Sequence, residues 1–195
     1  MKNLARRKLV EEEYPHNILY TIEKMSRSEY TMPKKLTCDI GDGIEYAISC
    51  LTQREKDIIR RRYIERRSFD DIGSIYGITG NRISQIDRKT MCKLSSPPLV
   101  GYLVYGKEGF ENRLHMCKPE NMEMLPEEVL NKSITELWVS MNIKRSLFRM
   151  GCKTIKDIIQ EGQVAEIDKN SYEEVSKCIQ VLVALYLPKD IICKE

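Results

Sequence analysis

The sequence predicts an all-α protein made of a helix-turn-helix bundle followed by a second, smaller helical domain. Within residues 51–97, three helix-sized blocks each open with a residue type that caps helices, and apolar residues follow at helical spacing. The same pattern returns after residue 132. The chain has 195 residues, 42% of them hydrophobic, which is enough for the cores of two small domains.

Composition divides the chain into four segments. Residues 1–38 are charged and interrupted by prolines, so they are interpreted as an extension with at most a short helix. Residues 39–116 are predicted to form the helix-turn-helix domain. Residues 117–131 contain two prolines among acidic and amide residues, which is typical of a linker, and residues 132–195 form the second domain.

Caps and glycines set the predicted elements at the start of the first domain. Gly41 and Gly43 interrupt the chain before a short helical block. Thr52 and Glu55 have the spacing of a capping box, in which each side chain satisfies a free backbone N–H group of the first turn. A helix is therefore predicted from there to about Ile64.

The next two helices follow from the same signals. Ser68 begins the second helix, Gly77 allows a tight turn after it, and Thr79 caps the third helix, which ends before Ser95. Residues 99–114 are predicted to add a short helical annex. The residues predicted to be buried are Leu51, Ile58, Ile59, Tyr63, Phe69, Ile72, Ile75, Tyr76, Ile83, Ile86, Met91 and Leu94. A short helix, a turn with glycine and a longer helix is the order of a helix-turn-helix, whose second helix enters the DNA major groove.

The outward face of the third helix is polar and suited to that groove. The candidates for base contacts are Asn81, Arg82 and Gln85, and the candidates for phosphate contacts are Ser68, Arg88 and Lys89. Residues 51–94 carry eleven Lys and Arg against six Asp and Glu, an excess of +5 in a chain of net charge +3. Three-helix bundles with a charged face also occur in proteins that never touch DNA, and periodicity alone leaves the two interpretations near even.

The second domain is predicted from capping residues as well. Ser140 caps a first helix and Gly151 ends it, a short helix starts at Thr154, and a long helix starts at Ser171 with Glu174 as its capping partner. The residues predicted to fill its core are Leu137, Trp138, Ile143, Leu147, Met150, Ile155, Ile158, Ile159, Val175, Ile179, Leu182 and Leu185.

Other kinds of site are poorly supported by the sequence. The seven cysteines are far apart and form no Cys-x-x-Cys pair, and the two histidines lie near no nucleophile or acidic cluster. An enzyme is therefore the least expected class, and no metal or cofactor is expected. No signal peptide or membrane span is visible, which favours a cytoplasmic protein without membrane contact.

Specific residues of the first domain resemble a known family. The motifs are Leu51-Thr52-x-Arg54-Glu55, Ile59-x-x-Arg62-Tyr63, Ser68-x-x-x-Ile72-Gly73, Ile78-Thr79-x-x-Arg82-Ile83-x-Gln85-Ile86 and Lys93-Leu94-x-x-Pro97. They resemble the fourth region of bacterial sigma factors, which reads the minus-35 promoter element and docks on the flap of RNA polymerase. At the start of its recognition helix that family has Arg-Glu-Arg-x-Arg-Gln, whereas this chain has Gly80 and Ser84 at two of the arginine positions. Only Arg82 and Gln85 carry over.

The second domain resembles the C-terminal domain of the RNA polymerase α subunit, a compact fold with a helix-hairpin-helix element. The resemblance rests on core spacing over ITELWVSMNIKRSLFRMGCKTIKDIIQ and SYEEVSKCIQVL. It implies candidate DNA or partner contacts at Asn142, Arg145, Lys169 and Ser171. Asp168 stands where that hairpin has glycine, and its charge opposes phosphate.

These resemblances imply a sigma-like transcription regulator with promoter DNA and bacterial RNA polymerase as partners. Sigma factors also use an aromatic-rich domain to melt promoter DNA, and the first fifty residues are too short to hold one, so a full initiation factor is not expected. The alternative is an interaction protein that occupies polymerase surfaces, and competes with or modulates a sigma factor, without reading DNA sequence. The oligomeric state is left open.

Overall fold

The structure, a computed structural model, describes residues 13–26, 31–116, 126–160 and 168–186. All regular elements among these residues are helices, so the predicted all-α class is confirmed; a single bridge pairs Ser133 with Thr154. The chain divides into two compact units, Met1–Gly109 and Phe110–Glu195. The predicted linker lies partly outside the described residues, and the predicted domain limits stay predictions.

The first unit contains six helices within the described residues. They are α1 (His16–Met25), α2 (Cys38–Ser49), α3 (Gln53–Ile59), α4 (Phe69–Tyr76), α5 (Gly80–Leu94) and α6 (Pro97–Tyr105). The helix α3 continues as a π-helical turn, Arg60–Ile64. The next helix, α7 (Lys107–Met116), begins in this unit and continues into the second.

Three helices of the first unit, α3, α4 and α5, start where capping chemistry predicts. Thr52 and Glu55 form the predicted capping box at α3, and Ser68 and Asp71 form one at α4. The hydroxyl of Thr79 accepts a hydrogen bond from Arg82 N at the start of α5. These three caps are local features, which is why the sequence alone located them.

The prediction that Gly41 and Gly43 interrupt the chain before a helix is wrong. Gly41 and Gly43 lie inside α2, which is capped by Thr37 and begins before both of them. A Cβ on Gly43 would overlap the carbonyl oxygen of Tyr102 in α6. The glycine therefore permits close packing of α2 against α6 and does not end a helix.

The amino-terminal helix α1 packs against α5, an arrangement that was not predicted. Ile18, Leu19 and Ile22 are buried, and Asn17 donates its side-chain amide to the carbonyl oxygen of Tyr63 at 2.8 Å. This part of the predicted extension thus belongs to the core of the first unit.

One predicted core residue of this unit is exposed. Ile75 has 47% of its surface exposed, whereas Ile72 is fully buried. At about 100° per residue, Ile75 lies about 120° away from Phe69 around α4, at the edge of the apolar stripe. The predicted burial of Ile75 was wrong for that reason.

The second unit is built from α8 (Glu127–Leu130), a 3₁₀ turn (Ile134–Glu136), α9 (Met141–Arg149), α10 (Ile155–Gln160) and α11 (Lys169–Tyr186). Most of the predicted core is buried, including Leu137, Ile143, Leu147, Ile155, Ile158, Val175, Ile179, Leu182 and Leu185. Within this unit, the Arg113 guanidinium of α7 donates to the carbonyl oxygen of Ala184 at 2.6 Å.

Two predictions for the second unit were wrong. Trp138 does not fill the core but has 55% of its surface exposed. The helix α11 begins two residues earlier than predicted, because Asp168 accepts hydrogen bonds from the backbone N–H (3.1 Å) and hydroxyl (2.6 Å) of Ser171. An aspartate before the helix is a strong N-cap and outcompetes the predicted cap at Ser171.

Candidate nucleic-acid interface

The helices α4 and α5 form a helix-turn-helix whose turn is fixed by backbone geometry. Gly77 adopts a left-handed conformation with φ 64°, and Ile78 N–H donates to Gly73 O at 3.0 Å. A Cβ on Gly73 would overlap Ile78 O, so the turn lies directly against the backbone of α4 at this position. This turn sets the direction in which α5 leaves the bundle.

A small apolar core holds α5 against α3 and α4. Its fully buried members are Ile58, Ile72 and Ile83, one from each helix. Phe69, Tyr76, Ile78 and Ile86 pack around them as partly buried side chains. Since Ile83 and Ile86 face this core, the polar residues between them face outward.

The ends of α5 are anchored as well. At its C-terminal end, Lys93 forms an ion pair with Glu55 of α3 at 2.5 Å. Burial raises the pKa of Glu55, but hydrogen bonds from Lys93 and Thr52 outweigh burial and lower it below its ordinary value. The Glu55 carboxylate thus stays ionised, caps α3 and holds α5 at the same time.

The start of α5 lies beside the start of α4. Gly80 is buried, and a Cβ there would overlap the side chain of Asp70 and lie 3.0 Å from its backbone nitrogen. The Asp70 carboxylate therefore occupies the positive end of α5, where a helix attracts anions. A long side chain at position 80 would have to displace it, which accounts for glycine where the sigma family has arginine.

The structure puts the predicted base-contact residues on the surface of α5. Asn81, Arg82 and Gln85 are all exposed, and Arg82 Nη1 donates to Gln85 Oε1 at 3.0 Å. This hydrogen bond brings the side chains of Arg82 and Gln85 together and occupies the amide oxygen of Gln85 as acceptor. Asn81 and Gln85 lie four residues apart, so they share one face of the helix.

The predicted phosphate-contact residues fall into two kinds. Arg88 and Lys89 are exposed on α5 and have no ion-pair partner among the described residues. Ser68 is different, because its hydroxyl donates to the carboxylate of Asp71 at 2.6 Å and accepts from Asp71 N as the cap of α4. Hydrogen bonds from Ser68 lower the pKa of Asp71, so an anionic group stands next to this candidate.

Much of the positive charge before α4 is already neutralised. Arg60 and Arg61 contact Asp57 at 3.0 and 2.7 Å, and Arg67 contacts Glu65 at 2.8 Å. The α5 surface differs, because the acidic residue of that helix, Asp87, is buried with 8% exposure. Among the residues of α5 itself, the exposed face is thus cationic, and the Asp70 carboxylate of α4 lies only at its start.

Sequence reasoning missed the buried polar group behind that face. The Asp87 Oδ2 atom accepts from the Tyr63 hydroxyl at 3.4 Å, and Oδ1 has no hydrogen-bond partner among the described residues. Burial raises the pKa of Asp87 to about 6, against the opposing effects of Arg62 and Tyr63. The one signal of burial in the sequence is the position of Asp87 four residues after Ile83, on the same face of the helix.

In the second unit, the candidate contacts lie on two helices. Asn142 and Arg145 are exposed on α9, whereas Lys169 and Ser171 lie at the start of α11. The hydroxyl and the N–H of Ser171 both bind Asp168, and these bonds lower the pKa of that aspartate. The start of α11 therefore presents a fixed negative charge, which opposes phosphate binding there.

Within the described residues, no group of three or more His, Cys, Asp or Glu side chains is arranged to hold a metal ion. No described helix is long and apolar enough to cross a membrane.

Comparison with known proteins covers the helix-turn-helix region. Residues 47–96 match the family model described as Sigma-70, region 4, a DNA-binding rather than a catalytic domain. A curated relative, RNA polymerase sigma factor SigA of Bacillus sp, is 31% identical over 62 residues, which are 30% of this chain and 16% of SigA. No solved structure matches the chain. The resemblance predicted for the first domain is confirmed, and that of residues 132–195 stays a prediction.

Proposed function

We propose that this chain is a sigma-like transcription regulator that recognises promoter DNA through α4 and α5 and engages RNA polymerase. The observation that carries the proposal is the exposed face of α5, which presents Arg82, Gln85, Arg88 and Lys89 and no exposed acidic residue of that helix. Such a face combines bidentate donors for base edges with cations for phosphates.

The proposed roles follow from position. Asn81, Arg82 and Gln85 read bases, and Arg88 and Lys89 hold phosphates on either side of the groove. The hydrogen bond between Arg82 and Gln85 leaves the amide N–H₂ of Gln85 free, so this pair presents mainly donors. Donors favour the acceptor-rich edge of guanine over the mixed edge of adenine.

Few specific contacts are available, because Gly80 and Ser84 replace long donors of the sigma family. A good bidentate contact contributes roughly 1–3 kcal/mol of base discrimination, so the loss of two is large. We therefore assign part of the promoter affinity to simultaneous binding of RNA polymerase, which raises the effective concentration of α5 at the DNA.

The test is binding of the full chain to labelled duplex DNA, measured by fluorescence anisotropy at low salt. Arg82→Ala and Gln85→Ala are expected to weaken binding to a selected sequence about tenfold or more and to reduce sequence preference. Arg60→Ala is the matched control, because Arg60 is exposed but already paired with Asp57. Equal binding by all these variants would contradict base reading by α5.

The second candidate function is a polymerase-binding protein that does not read DNA sequence. It is favoured by the neutralised arginines before α4 and by the carboxylate of Asp70 at the start of α5. Co-purification of the full chain with core RNA polymerase, equal for the wild type and for Arg82→Ala, combined with no duplex binding at low salt, would establish this candidate instead.

A further inference from the structure

The helix α9 of the second unit carries an exposed apolar stripe. Met141 and Phe148 have 62% and 47% of their surfaces exposed, and seven residues bring the helix back to nearly the same face. Trp138, 55% exposed, lies three residues before Met141. Large apolar side chains grouped on one face mark contact surfaces more often than scattered ones do.

Cations lie within the same stripe. Arg145 is four residues after Met141, Arg149 follows Phe148 directly, and both are exposed without an ion-pair partner among the described residues. The sequence of α9, MNIKRSLFR, contains no acidic residue. At the start of the helix, the Glu174 carboxylate accepts a hydrogen bond from Ser140 N–H at 3.0 Å.

The backbone before and at the start of α9 is fixed by hydrogen bonds. Trp138 N–H donates to Cys178 Sγ at 3.1 Å, and the Ser140 hydroxyl caps α9 by accepting from Ile143 N at 3.3 Å. On the opposite side of α9, Leu147 is fully buried. Because the backbone beneath the exposed side chains is already fixed, a partner has to order only the side chains themselves on binding.

We propose that this α9 face, formed by Met141, Arg145, Phe148 and Arg149 and preceded by the exposed Trp138, docks an acidic amphipathic segment of another protein. Trp, Phe, Met and Arg are the residue types enriched at the centres of protein interfaces. Apolar side chains of the partner cover Met141 and Phe148, and its Asp or Glu residues pair with Arg145 and Arg149. Duplex DNA satisfies only the arginines and leaves Met141 and Phe148 in water, so a protein partner fits better.

This proposal does not depend on the function proposed for the first unit, and the chain carries its own reporter. Trp138 is the only tryptophan of the protein. The probe is a synthetic helical peptide with leucines at positions i, i+4 and i+7 flanked by glutamates. Its matched control is an isomer of the same composition with the leucines spread around the helix. The full chain is titrated with each peptide while the emission of Trp138 is recorded.

The amphipathic peptide is expected to shift the emission of Trp138 to shorter wavelength in a saturable manner, and the isomer is not. Phe148→Ser and Arg145→Glu are each expected to weaken binding about tenfold, which corresponds to about 1.4 kcal/mol. Lys35→Glu makes the same charge change at an exposed position of the first unit and should leave affinity within about twofold. The variants alter exposed residues, and circular dichroism checks that their folds are intact.

Other outcomes overturn the proposal. No shift with the amphipathic peptide, or the same shift with its isomer, removes the proposed segment as a partner. An equal shift with duplex or single-stranded DNA assigns the face to nucleic acid. A shift that appears on raising the protein concentration alone assigns it to a second copy of this chain. Unchanged affinity of Arg145→Glu contradicts the acidic character of the partner.

Discussion

Asp87 is a buried acidic residue in the helix that carries the proposed base contacts. One carboxylate oxygen accepts a hydrogen bond from Tyr63, and the other has no partner among the described residues. Burial raises its pKa to about 6, so at neutral pH the folded protein holds an incompletely solvated negative charge. This charge destabilises the bundle at neutral pH while the surrounding apolar residues hold it in place.

The pH dependence of stability follows from that raised pKa. The ordinary value is 3.8, so between about pH 4 and 6 the folded state binds the proton more tightly than the unfolded state. The contribution of Asp87 to the free energy of unfolding is therefore favourable below pH 4 and is lost as the pH rises through 6. Asp87→Asn is expected to raise the free energy of unfolding at pH 7.5 by roughly 1–2 kcal/mol.

The measurement is urea denaturation of the wild type and Asp87→Asn between pH 4 and 7.5. Asp71→Asn is the control, because Asp71 has a lowered pKa and caps α4, so its removal should destabilise at neutral pH. A loss of stability for Asp87→Asn at pH 7.5 would show that the Asp87 charge is satisfied and structurally needed.

At the scale of elements, the packing of α2 against α6 gives two glycines of α2 different surroundings. An added Cβ on Gly41 would meet nothing within 4 Å beyond the adjacent residues and its own helix backbone, whereas at Gly43 the Cβ would overlap the backbone of Tyr102. Gly41→Ala is expected to stabilise the protein by about 0.5–1 kcal/mol through helix propensity. Gly43→Ala is expected to destabilise it by about 1–3 kcal/mol, because backbone has to move.

Thermal and urea denaturation of the two alanine variants test this pair, and each is the control of the other. Since both substitutions have the same propensity gain in α2, their difference reports the approach of α6. Similar stabilities for the two variants would contradict the close contact between these helices.

These glycines show which parts of the fold could be predicted from the sequence. The caps at Thr52, Ser68 and Thr79 were predicted correctly because their partners lie three residues away. Gly43 was misread because its partner, Tyr102, is distant in sequence. The exposure of Trp138 was missed for the same reason, since the bond from its backbone to Cys178 joins positions far apart.

The candidate interface also has features that the sequence predicts and features that it does not. The outward position of Arg82 and Gln85 follows from helical periodicity, and both are exposed as predicted. The bond between them, the Asp70 carboxylate against Gly80 and the burial of Asp87 depend on side-chain conformation and on contacts between helices. Periodicity does not contain that information.

The contact between α3 and α4 makes a further prediction at this scale. Asp57 of α3 accepts hydrogen bonds from the Tyr76 hydroxyl of α4 and from Arg61, and these lower its pKa to about 2. Its stabilising effect is therefore present above pH 4 and lost as the pH falls from 4 to 2. Tyr76→Phe is expected to destabilise the protein by about 1 kcal/mol at pH 7.

At pH 2.5 the difference between the wild type and Tyr76→Phe should be smaller, because Asp57 is almost fully protonated in the unfolded state and partly protonated in the folded state. Chemical denaturation at both pH values measures it. Tyr172→Phe, at an exposed tyrosine of α11, is the control and should change stability little. An effect of Tyr76→Phe that is equal at both pH values would argue against the Asp57 carboxylate as its partner.

At the scale of the whole molecule, charge is unevenly distributed. The excess of +5 in residues 51–94 leaves −2 for the rest of the chain, since the total is +3. Ion pairs of Arg60, Arg61, Arg67 and Lys93 reduce the number of cations available to phosphates. Net charge alone therefore overstates the strength of electrostatic attraction to DNA.

The salt dependence of DNA binding reports how many cations contact phosphates. If the two cations of α5 assigned to phosphates, Arg88 and Lys89, and about two more cations reach phosphates, the slope of log K against log salt should be about −3 to −4. Engagement of all eleven cations of residues 51–94 would give about −10. Anisotropy titrations of the full chain between about 50 and 200 mM salt measure the slope.

Lys89→Ala should make the slope about one unit shallower, whereas Arg67→Ala, which removes a paired cation, should leave it unchanged. A slope steeper than about −6 would mean that DNA breaks the ion pairs of α3 and the following turn, so that the binding surface extends well beyond α5.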